Sequence, residues 1–303
     1  MRQIILDTDI GPDCDDTGAM AALMNLQKQG RVNVLGITHC TSDRYGDVVI
    51  QAICDWFGYP DIPVGTCRRS GFLNDGDALV YTKPIADAYC RTHTAPKTED
   101  AVCLMRRLLY EAEEKVTLVT IGMLNNLSEL LQSPKDERIP LSGLELVSQK
   151  ADEVIAMAGD FSQNQEHAEF NIKMDIPSAR YVAEHCPVPV TYLGWECCGD
   201  VLSGRSLESC PPDYPVRMAY AYFLNLHGLD QSRGAFLRES WDPATALYAV
   251  NGGDGIWDVQ ENQRIWFDQN GCTRFEPGGK DRFLVRTVSP EVAAAYIEPY
   301  FKG

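Results

Sequence analysis

Residues 4–16 read Ile4-Ile5-Leu6-Asp7-Thr8-Asp9-Ile10-Gly11-Pro12-Asp13-Cys14-Asp15-Asp16. An apolar run, typical of a buried strand, leads here directly into five aspartates that fall within ten residues. Carboxylates packed this closely repel one another at neutral pH, so the segment needs a positive partner. A hard divalent cation that is bound through oxygen atoms is the simplest candidate.

The whole chain is acidic, with 27 Lys and Arg against 43 Asp and Glu and a net charge of −16. This charge argues against nucleic acid and anionic membranes as partners. Of the 303 residues 45% are hydrophobic, which suits a globular protein with a sizeable core. The chain has no internal repeat, low-complexity run or linker, so we expect a single domain over residues 1–303.

The start of the chain and its cysteines indicate a cellular compartment. Met1-Arg2-Gln3 leads directly into the strand-like run without the features of a signal peptide. No apolar stretch approaches the ~20 residues of a transmembrane helix. The eleven cysteines are scattered, and we interpret them as reduced thiols that pack as small apolar side chains. We therefore expect a cytoplasmic protein.

Strand-like and helix-like segments alternate along most of the chain. The predicted strands are Arg2–Asp7, Val32–Thr38, Ile62–Gly65, Val116–Ile121, Glu153–Ala158 and Pro189–Leu193. The predicted helices are Asp15–Gln29, Gly46–Phe57, Glu99–Glu114, Asn125–Gln132, Pro177–His185, Pro215–His227 and Pro243–Val250. This alternation predicts an α/β fold, with an open, mostly parallel, Rossmann-like sheet and helices on both faces.

Two regions depart from the alternation. Arg68–Lys97 is rich in Gly, Asp and Thr and is predicted to be a long loop with little regular structure. Near the C-terminus, Arg264–Asp268 and Arg282–Thr287 resemble antiparallel strands, and Pro290–Phe301 resembles a closing helix. We therefore expect a small antiparallel addition to the sheet at this end of the chain.

Polar residues follow several of the predicted strands. The aspartate cluster follows the first strand, and Thr38–Asp43, Gly122–Asn126 and Gly159–Ser162 follow three others. Ligands of such folds bind beyond the carboxyl ends of the strands. We therefore expect these loops to converge on one crevice.

Several interpretations of the aspartates compete. An EF-hand loop that started at Asp7 would need Glu at its twelfth position, which is Gly18, so we reject it. Asp7 and Asp9 also fit the D-x-D of an aspartyl-phosphate phosphotransferase, although no lysine partner is obvious downstream. Solvated acids at a helix N-terminus would explain Asp15 or Asp16 alone but not five aspartates together. The remaining interpretation is a divalent site that activates water.

Four segments resemble signatures of the inosine–uridine nucleoside hydrolase family, and they occur in the family's order. They are Leu6-Asp7-Thr8-Asp9-Ile10-Gly11 with Asp15-Asp16, then Ile121-Gly122-Met123-Leu124-Asn125-Asn126-Leu127, then Ala168-Glu169-Phe170-Asn171-Ile172 with Asp175, and Ser240-Trp241-Asp242-Pro243. The second resembles the family's Gly-Pro-Leu-Thr-Asn segment, and the third its Glu-Phe-Asn ribose motif. A lone D-x-D would be a weak signal, whereas this combination is specific.

The resemblance implies a Ca²⁺ site and a ribose site. The implied metal ligands are Asp9, Asp16 (bidentate), the backbone carbonyl of Asn125, and Asp242. Asp9 would also be the general base for the attacking water. The residues implied to hold the ribose hydroxyls are Asp15, Glu169 and Asn171, with Asn164 or Gln163 as a helper. From the residues themselves we expect Asp7, at the end of the strand, to brace the loop, and Asn126 to cap the helix that follows it.

The implied reaction is hydrolysis of the N-glycosidic bond of a small-molecule ribonucleoside to ribose and free base. The resemblance also implies a homo-oligomer, either a dimer or a tetramer. The alternative is a ribose- or nucleoside-binding protein on the same fold that has lost turnover or retains very little.

The chain departs from the family pattern in three places. The loop before Asp15 is two residues longer, which leaves the role of Asp13 open, although the start of the following helix favours Asp15-Asp16 as the matched pair. Trp241 replaces the His that protonates the leaving base, and we expect Trp241 to stack on that base. Asp43 stands near a sugar-binding Asn of the family and is a further candidate for substrate binding.

Because Trp241 replaces that His, another residue, or solvent, would have to protonate the departing base. The candidates are His39, Cys40 and His167, for each of which a structural role is also open. Two further segments are ambiguous: Gly194–Cys198 either borders the pocket or packs in the core, and Gly228–Glu239 is either a lid or an ordinary surface loop.

Overall fold

The computed structural model describes residues 1–69, 72, 80–162, 166–226 and 236–303. The strands in these ranges are β1 (Arg2–Thr8), β2 (Val32–His39), β3 (Val64–Thr66), β4 (Glu99–Asp100), β5 (Val116–Thr120), β6 (Ala151–Met157), β7 (Val190–Leu193), β8 (Leu202–Ser203), β9 (Arg238–Glu239), β10 (Trp257–Phe267), β11 (Thr273–Pro277) and β12 (Asp281–Arg286). The α-helices are α1 (Asp15–Lys28), α2 (Gly46–Trp56), α3 (Thr82–Tyr89), α4 (Ala101–Glu111), α5 (Asn125–Gln132), α6 (Gly143–Lys150), α7 (Phe170–Met174), α8 (Ile176–His185), α9 (Pro215–Leu226), α10 (Trp241–Asn251) and α11 (Pro290–Ile297).

Ten of the strands form one sheet in the order β11-β10-β12-β7-β6-β5-β1-β2-β3-β4. Neighbouring strands from β7 to β4 run parallel, and β1 lies between β5 and β2. At the other end β10 runs antiparallel to β11 and β12, while β12 joins β7 in parallel. This topology confirms the predicted α/β fold and its antiparallel addition. A separate two-stranded sheet pairs β8 with β9.

Side-chain alternation along β1 builds a core on each face of the sheet. Ile4 and Leu6 belong to one apolar cluster, and Ile5 belongs to the other. The first cluster includes buried side chains of α1, α2, α10 and α11, and the second includes those of α4, α5, α6 and α8. Both faces of β1 are therefore covered, which is why its sequence is continuously apolar rather than alternating.

Three α-helices lie where none was predicted, and one of them, α7, has only five residues. The other two are α3 and α6. The structure places α3, with Ile85 and Ala86 buried, inside the segment that was predicted to lack regular structure, so that prediction is wrong there. The sequence analysis also missed α6, although Ser142 and Glu145 form a capping box at its start. Both helices have only eight residues, and such short segments carry a weak periodic signal.

Asp7 and Asn126 join three elements behind the strand ends. Asp7 Oδ1 accepts hydrogen bonds from Thr38 Oγ1 at 2.6 Å and from Asn126 Nδ2 at 2.8 Å. Asp7 therefore connects β1 to β2 and α5, and the bracing of the aspartate loop by Asp7 stays a prediction. The capping role predicted for Asn126 is wrong, because α5 begins after Leu124 and the Asn126 amide points to Asp7 and the His39 carbonyl instead.

Two further features concern the whole chain. All eleven cysteines are free thiols, and most of them are buried. Within the described ranges, no helix combines the length and the apolar character that crossing a membrane requires.

Candidate active site

A cavity of about 230 Å³ opens where β1, β5 and β6 end. The described acids around it are Asp9, Asp13, Asp15, Asp16, Glu169 and Asp242. The other described lining residues are Pro12, Ile121, Met157, Phe170, Asn171, Trp195, Arg238 and Trp241. All four segments that resemble the family signatures contribute to this cavity. Three of them contribute their acidic residues, and the remaining one contributes Ile121.

Two helix N-termini bring the innermost acids together. Asp15 and Asp16 open α1, as the helix register predicted, and Asp242 lies in the first turn of α10. The backbone N–H of Asp242 donates to Asp15 Oδ2 at 3.1 Å. Acidic side chains in the first turn of a helix are favoured by the exposed N–H groups and the helix dipole. The two helices therefore stabilise negative charge at this point.

Asp15, Asp16 and Asp242 have the geometry of a cation site. Each offers a carboxylate oxygen, and these oxygens lie within 4.8 Å of one another. All three side chains are buried, and burial raises their pKa values well above the ordinary range, with the neighbouring carboxylates adding to the effect. Buried like charges at this spacing are costly unless a cation neutralises them. The donor set is entirely oxygen, which fits a hard divalent ion such as Ca²⁺.

Asp9 lies beside this trio at the end of β1. Its side chain is buried and lines the cavity, and burial raises the pKa of its carboxyl, with Asp15 adding a smaller increase. Thr8, the preceding residue, donates a hydrogen bond from Oγ1 to Asp16 Oδ1. Asp9 thus lies next to the cluster and faces the cavity.

Asn125 is placed differently from these acids. It is fully buried at the start of α5, its Nδ2 donates to the Cys40 carbonyl at 2.9 Å, and its Oδ1 has no described hydrogen-bond partner. It is not among the residues that line the cavity. Coordination of a metal by its backbone carbonyl therefore stays a prediction.

Glu169 and Asn171 lie on another side of the cavity. Glu169 caps α7: its Oε1 accepts from the Asn171 backbone N–H at 2.8 Å, and its Oε2 accepts from Gly159 and Ile172 at 3.1 and 3.3 Å. Burial raises the pKa of Glu169 to about 7. Asn171 Nδ2 donates to the Met157 carbonyl at 3.0 Å. Both side chains are therefore fixed before any ligand arrives. Asn164, the predicted helper, and Gln163 lie outside the described residues.

Three aromatic side chains line the cavity. Trp241 Nε1 donates to the Trp195 carbonyl at 2.8 Å, and the two ring centroids are 6.4 Å apart. Trp195 and Phe170 are each 48% exposed, which is unusual for such large apolar side chains. The structure thus places Trp195 at the pocket rather than in the core. The sequence analysis missed Phe170, although it is the middle residue of the Glu-Phe-Asn motif.

The three candidate leaving-group acids do not line the cavity. His39 is fully buried, its Nε2 is 3.2 Å from the Ile10 carbonyl, and burial lowers its pKa to about 4, so the ring is neutral at pH 7. Burial raises the pKa of the Cys40 thiol well above its ordinary value. His167 is exposed. The described cavity wall therefore contains no His or Cys that could protonate a departing base.

Asp43 also lies away from the lining residues. Its buried carboxylate accepts from Thr82 Oγ1 at 2.7 Å and from the Tyr45 backbone N–H at 2.9 Å. These bonds connect the loop before α2 to the start of α3. The structure does not bring Asp43 to the described cavity wall, and its proposed contact with the sugar stays a prediction.

Asp13, whose role the sequence left open, forms an ion pair with Arg238. Arg238 Nε lies 2.9 Å from Asp13 Oδ1, and its Nη2 donates to Asp13 Oδ2. The Tyr81 hydroxyl donates to the Asp13 carbonyl at 2.6 Å, which fixes the longer loop from behind. Arg238 is the second-last residue of Gly228–Glu239, the segment that was considered as a lid. Residues 227–235 lie outside the described residues.

Several solved structures share this fold. Similar ones include the inosine-uridine preferring nucleoside hydrolase from Bacillus anthracis (TM-score 0.73, 18% identity, 99% of each chain covered) and the purine-preferring ribonucleoside hydrolase from Gardnerella vaginalis (TM-score 0.70, 15% identity, 99% of this chain and 96% of that one covered). The type III effector protein XopQ, solved in complex with adenosine diphosphate ribose, is also similar (TM-score 0.71, 17% identity, 99% and 92% covered). The TM-scores show a common fold, and at such low sequence identities they show the fold alone. No curated protein sequence matches the chain significantly.

A sequence model of one family also matches the chain. It is the model of the inosine-uridine preferring nucleoside hydrolases, and it matches residues 4–274, which include all four segments around the cavity. The match extends over most of the 303 residues. The chain therefore belongs to the inosine-uridine preferring nucleoside hydrolase family.

Proposed function

We propose that this protein hydrolyses the N-glycosidic bond of ribonucleosides to ribose and free base, and that it depends on Ca²⁺. The observation that carries the proposal is the buried group of Asp15, Asp16 and Asp242, whose carboxylate oxygens lie within 4.8 Å of one another at the bottom of a cavity. Family membership supports a hydrolase that acts on nucleosides.

Two of these three aspartates, Asp16 and Asp242, would hold the ion together with Asp9 and the backbone carbonyl of Asn125, and the third, Asp15, would face the ribose. When bound, Ca²⁺ would orient the ribose hydroxyls and make a water molecule more acidic. Carboxylate and carbonyl oxygens favour Ca²⁺ over Zn²⁺, which prefers His and Cys ligands. The described lining residues include neither His nor Cys, which supports this choice.

The other side chains would bind and orient the sugar. Asp15 would accept a hydrogen bond from a ribose hydroxyl, and Glu169, Asn171 and Asn164 would hold the remaining hydroxyls. Asp9 would take a proton from the attacking water while the oxygen of that water forms a bond to C1′. Positive charge develops on the ribose ring as the bond to the base breaks, and the surrounding carboxylates would stabilise it.

A riboside panel tests this proposal. The protein, supplied with Ca²⁺, is incubated with purine and pyrimidine ribosides and their 2′-deoxy analogues, and the release of reducing sugar is measured. We expect turnover of at least one riboside and a much slower reaction of its deoxy analogue, because loss of the 2′-hydroxyl leaves buried polar groups unpaired. Binding of ribosides without turnover would instead support the alternative of a binding protein.

A pair of Asp→Asn variants adds a matched control. Asp9→Asn should abolish turnover if this carboxylate is both base and ligand. Asp281→Asn changes an equally buried aspartate that accepts a hydrogen bond from Val190 N–H at 3.0 Å, away from the cavity. The control should keep the wild-type kcat. Equal activity of the two variants would contradict the role of Asp9.

A further inference from the structure

Two places where the chain departs from the family pattern meet at one side of the cavity with the segment that was considered as a lid. The longer loop supplies Asp13, the segment considered as a lid supplies Arg238, and Trp241 stands where the family has its leaving-group His. The Arg238 guanidinium carbon lies 5.4 Å from the centroid of the Trp241 ring. The three side chains therefore form one contiguous group.

The Arg238 side chain is held from several directions. Its Nε and Nη2 donate to the Asp13 carboxylate, and its Nη1 donates to Glu239. Its guanidinium also lies 5.3 Å from the ring centroid of Phe223, so aromatic rings of Phe223 and Trp241 both contact it. Its side chain is only 16% exposed. A guanidinium fixed in this way needs little reorganisation when charge appears beside it.

Arg238 has the opposite charge to every other ionisable residue of the described cavity wall. The acids and Asn171 suit a polyhydroxylated sugar, and the aromatic rings suit a flat base. Arg238 contacts the aromatic side through Trp241. A ribonucleoside that places its sugar among the acids therefore places its base towards Trp241 and Arg238.

The reaction itself creates a need for a cation there. When the C1′–N bond breaks, its electron pair stays on the base nitrogen, so an unprotonated base departs as an anion. The described wall offers no His or Cys to protonate it. Although burial alone would lower the pKa of Arg238, the hydrogen bonds and charge of Asp13 raise it above the ordinary value, so the guanidinium keeps its proton. Arg238 can thus donate hydrogen bonds to the anion from the N–H groups that Asp13 and Glu239 leave free, without giving up a proton.

We propose that Arg238 is a catalytic residue that donates hydrogen bonds to the departing base as an anion, and that Asp13 is the positioning residue that holds Arg238. This role rests on the proposed riboside hydrolysis. Water adds its oxygen to C1′, Asp9 takes the proton of that water, and the C1′–N electron pair goes to the base. Solvent protonates the base after release, and Asp9 returns its proton to solvent.

Leaving-group dependence tests the role of Arg238. The substrates are inosine and uridine, whose bases are poor leaving groups, and para-nitrophenyl riboside, whose nitrophenolate is stable without help. For Arg238→Gln we expect kcat on the nucleosides to fall about 100-fold and kcat on the nitrophenyl riboside to change less than about threefold. For Asp13→Asn we expect the same selectivity with a smaller loss, about tenfold on the nucleosides, because the guanidinium remains but is less well fixed.

A matched control separates this role from general ion pairing. Arg286 is 14% exposed and pairs with Asp200 at 2.8 Å, outside the cavity, so Arg286→Gln should keep the wild-type ratio of the two rates. Equal losses on both substrate types in Arg238→Gln, or no loss on either, would overturn the inference, and the milder Asp13→Asn carries the same test if Arg238→Gln does not fold. If the wild type turns over ribosides but Arg238→Gln loses activity equally on both substrate types, only the role of Arg238 is refuted. If the wild type is inactive on every riboside, the proposed function is refuted together with this role.

Discussion

Gly122 lies directly against Asp9. A Cβ atom at position 122 would be 2.7 Å from the Asp9 Cβ and 2.8 Å from the Asp9 backbone nitrogen, both shorter than real contacts allow. The two residues follow the adjacent strands β1 and β5, and they can approach this closely because position 122 has no side chain. The position of Asp9 in the cavity therefore depends on a residue that makes no hydrogen bond to a ligand.

Replacing this glycine should displace Asp9. For Gly122→Ala we expect kcat on the best riboside to fall about 100-fold, since a catalytic group that moves by about 1 Å can lose that much. Cys40→Ala is the control, because the Cys40 Sγ would lie 2.8 Å from the same Cβ and the thiol does not line the cavity. It should keep kcat within about threefold. A fully active Gly122→Ala would show that the reaction tolerates movement of Asp9.

Removal of the proposed ion should destabilise the protein. After prolonged chelation the buried carboxylates lose their counter-ion, so we expect a lower Tm and its recovery when Ca²⁺ is added. An ion at a hundredfold excess over its Kd adds about 2.7 kcal/mol to the free energy of unfolding. Differential scanning calorimetry with Ca²⁺, Mg²⁺ or Zn²⁺ in turn measures the effect.

Asp242→Asn should change the Tm in opposite directions without and with Ca²⁺, relative to the wild type. Without metal, the variant should have a higher Tm than the wild type, because one of the mutually repelling carboxylates is gone. It should also lose the rise in Tm that Ca²⁺ produces, whereas Asp281→Asn should retain that rise. A shift with Zn²⁺ alone would contradict the choice of Ca²⁺.

Asp7 should matter through its hydrogen bonds more than through its charge. Burial raises the pKa of Asp7 to about 7, although the bonds from Thr38 and Asn126 act against this rise. Asp7→Asn keeps an acceptor for both donors. Asp7→Ala removes it, so that Asn126 retains only its hydrogen bond to the His39 carbonyl and Thr38 only its 3.4 Å contact with the Leu6 carbonyl. We expect urea unfolding to show that Ala costs at least about 1 kcal/mol more than Asn. Equal costs would assign the effect to lost packing.

His39 should make the protein less stable in acid. Its pKa is about 4 in the folded state against 6.5 for an ordinary His, so the unfolded chain takes up the proton first as the pH falls. The stabilisation is present above pH 6.5 and is lost as the pH falls towards 4. Between pH 7 and 5 the wild type should lose about 2 kcal/mol more than His39→Gln. Parallel pH profiles of the two proteins would contradict this account.

The sequence predicted the parts of the site that local patterns determine. The apolar run of β1 and the start of α1 fixed which aspartates lie at the strand end and which open the helix. The Glu-Phe-Asn motif placed Glu169 and Asn171 at the cavity. In each case a few neighbouring residues carry the signal, because a strand end or a helix start is a local feature.

The parts that the sequence did not predict depend on contacts between distant segments. The Asp13–Arg238 pair joins residues 225 positions apart, and nothing near either residue indicates its partner. Asn126 looked like a helix cap because Asn is common there, but α5 begins at Asn125, so Asn126 lies inside the helix and its amide donates to the buried Asp7 carboxylate. His39 and Cys40 were candidate acids because of their chemistry, and only the packing around them excluded them from the cavity wall.

The contact between Asp15 and the Asp242 N–H also determines when a nascent chain can acquire its site. The two residues are 227 positions apart, on α1 and α10. Until the segment that becomes α10 has folded, the cavity lacks Trp241 and Asp242, and Asp15 lacks the N–H that Asp242 donates to it. A ligand of this cavity would therefore bind only to chains in which α1 and α10 have already come together.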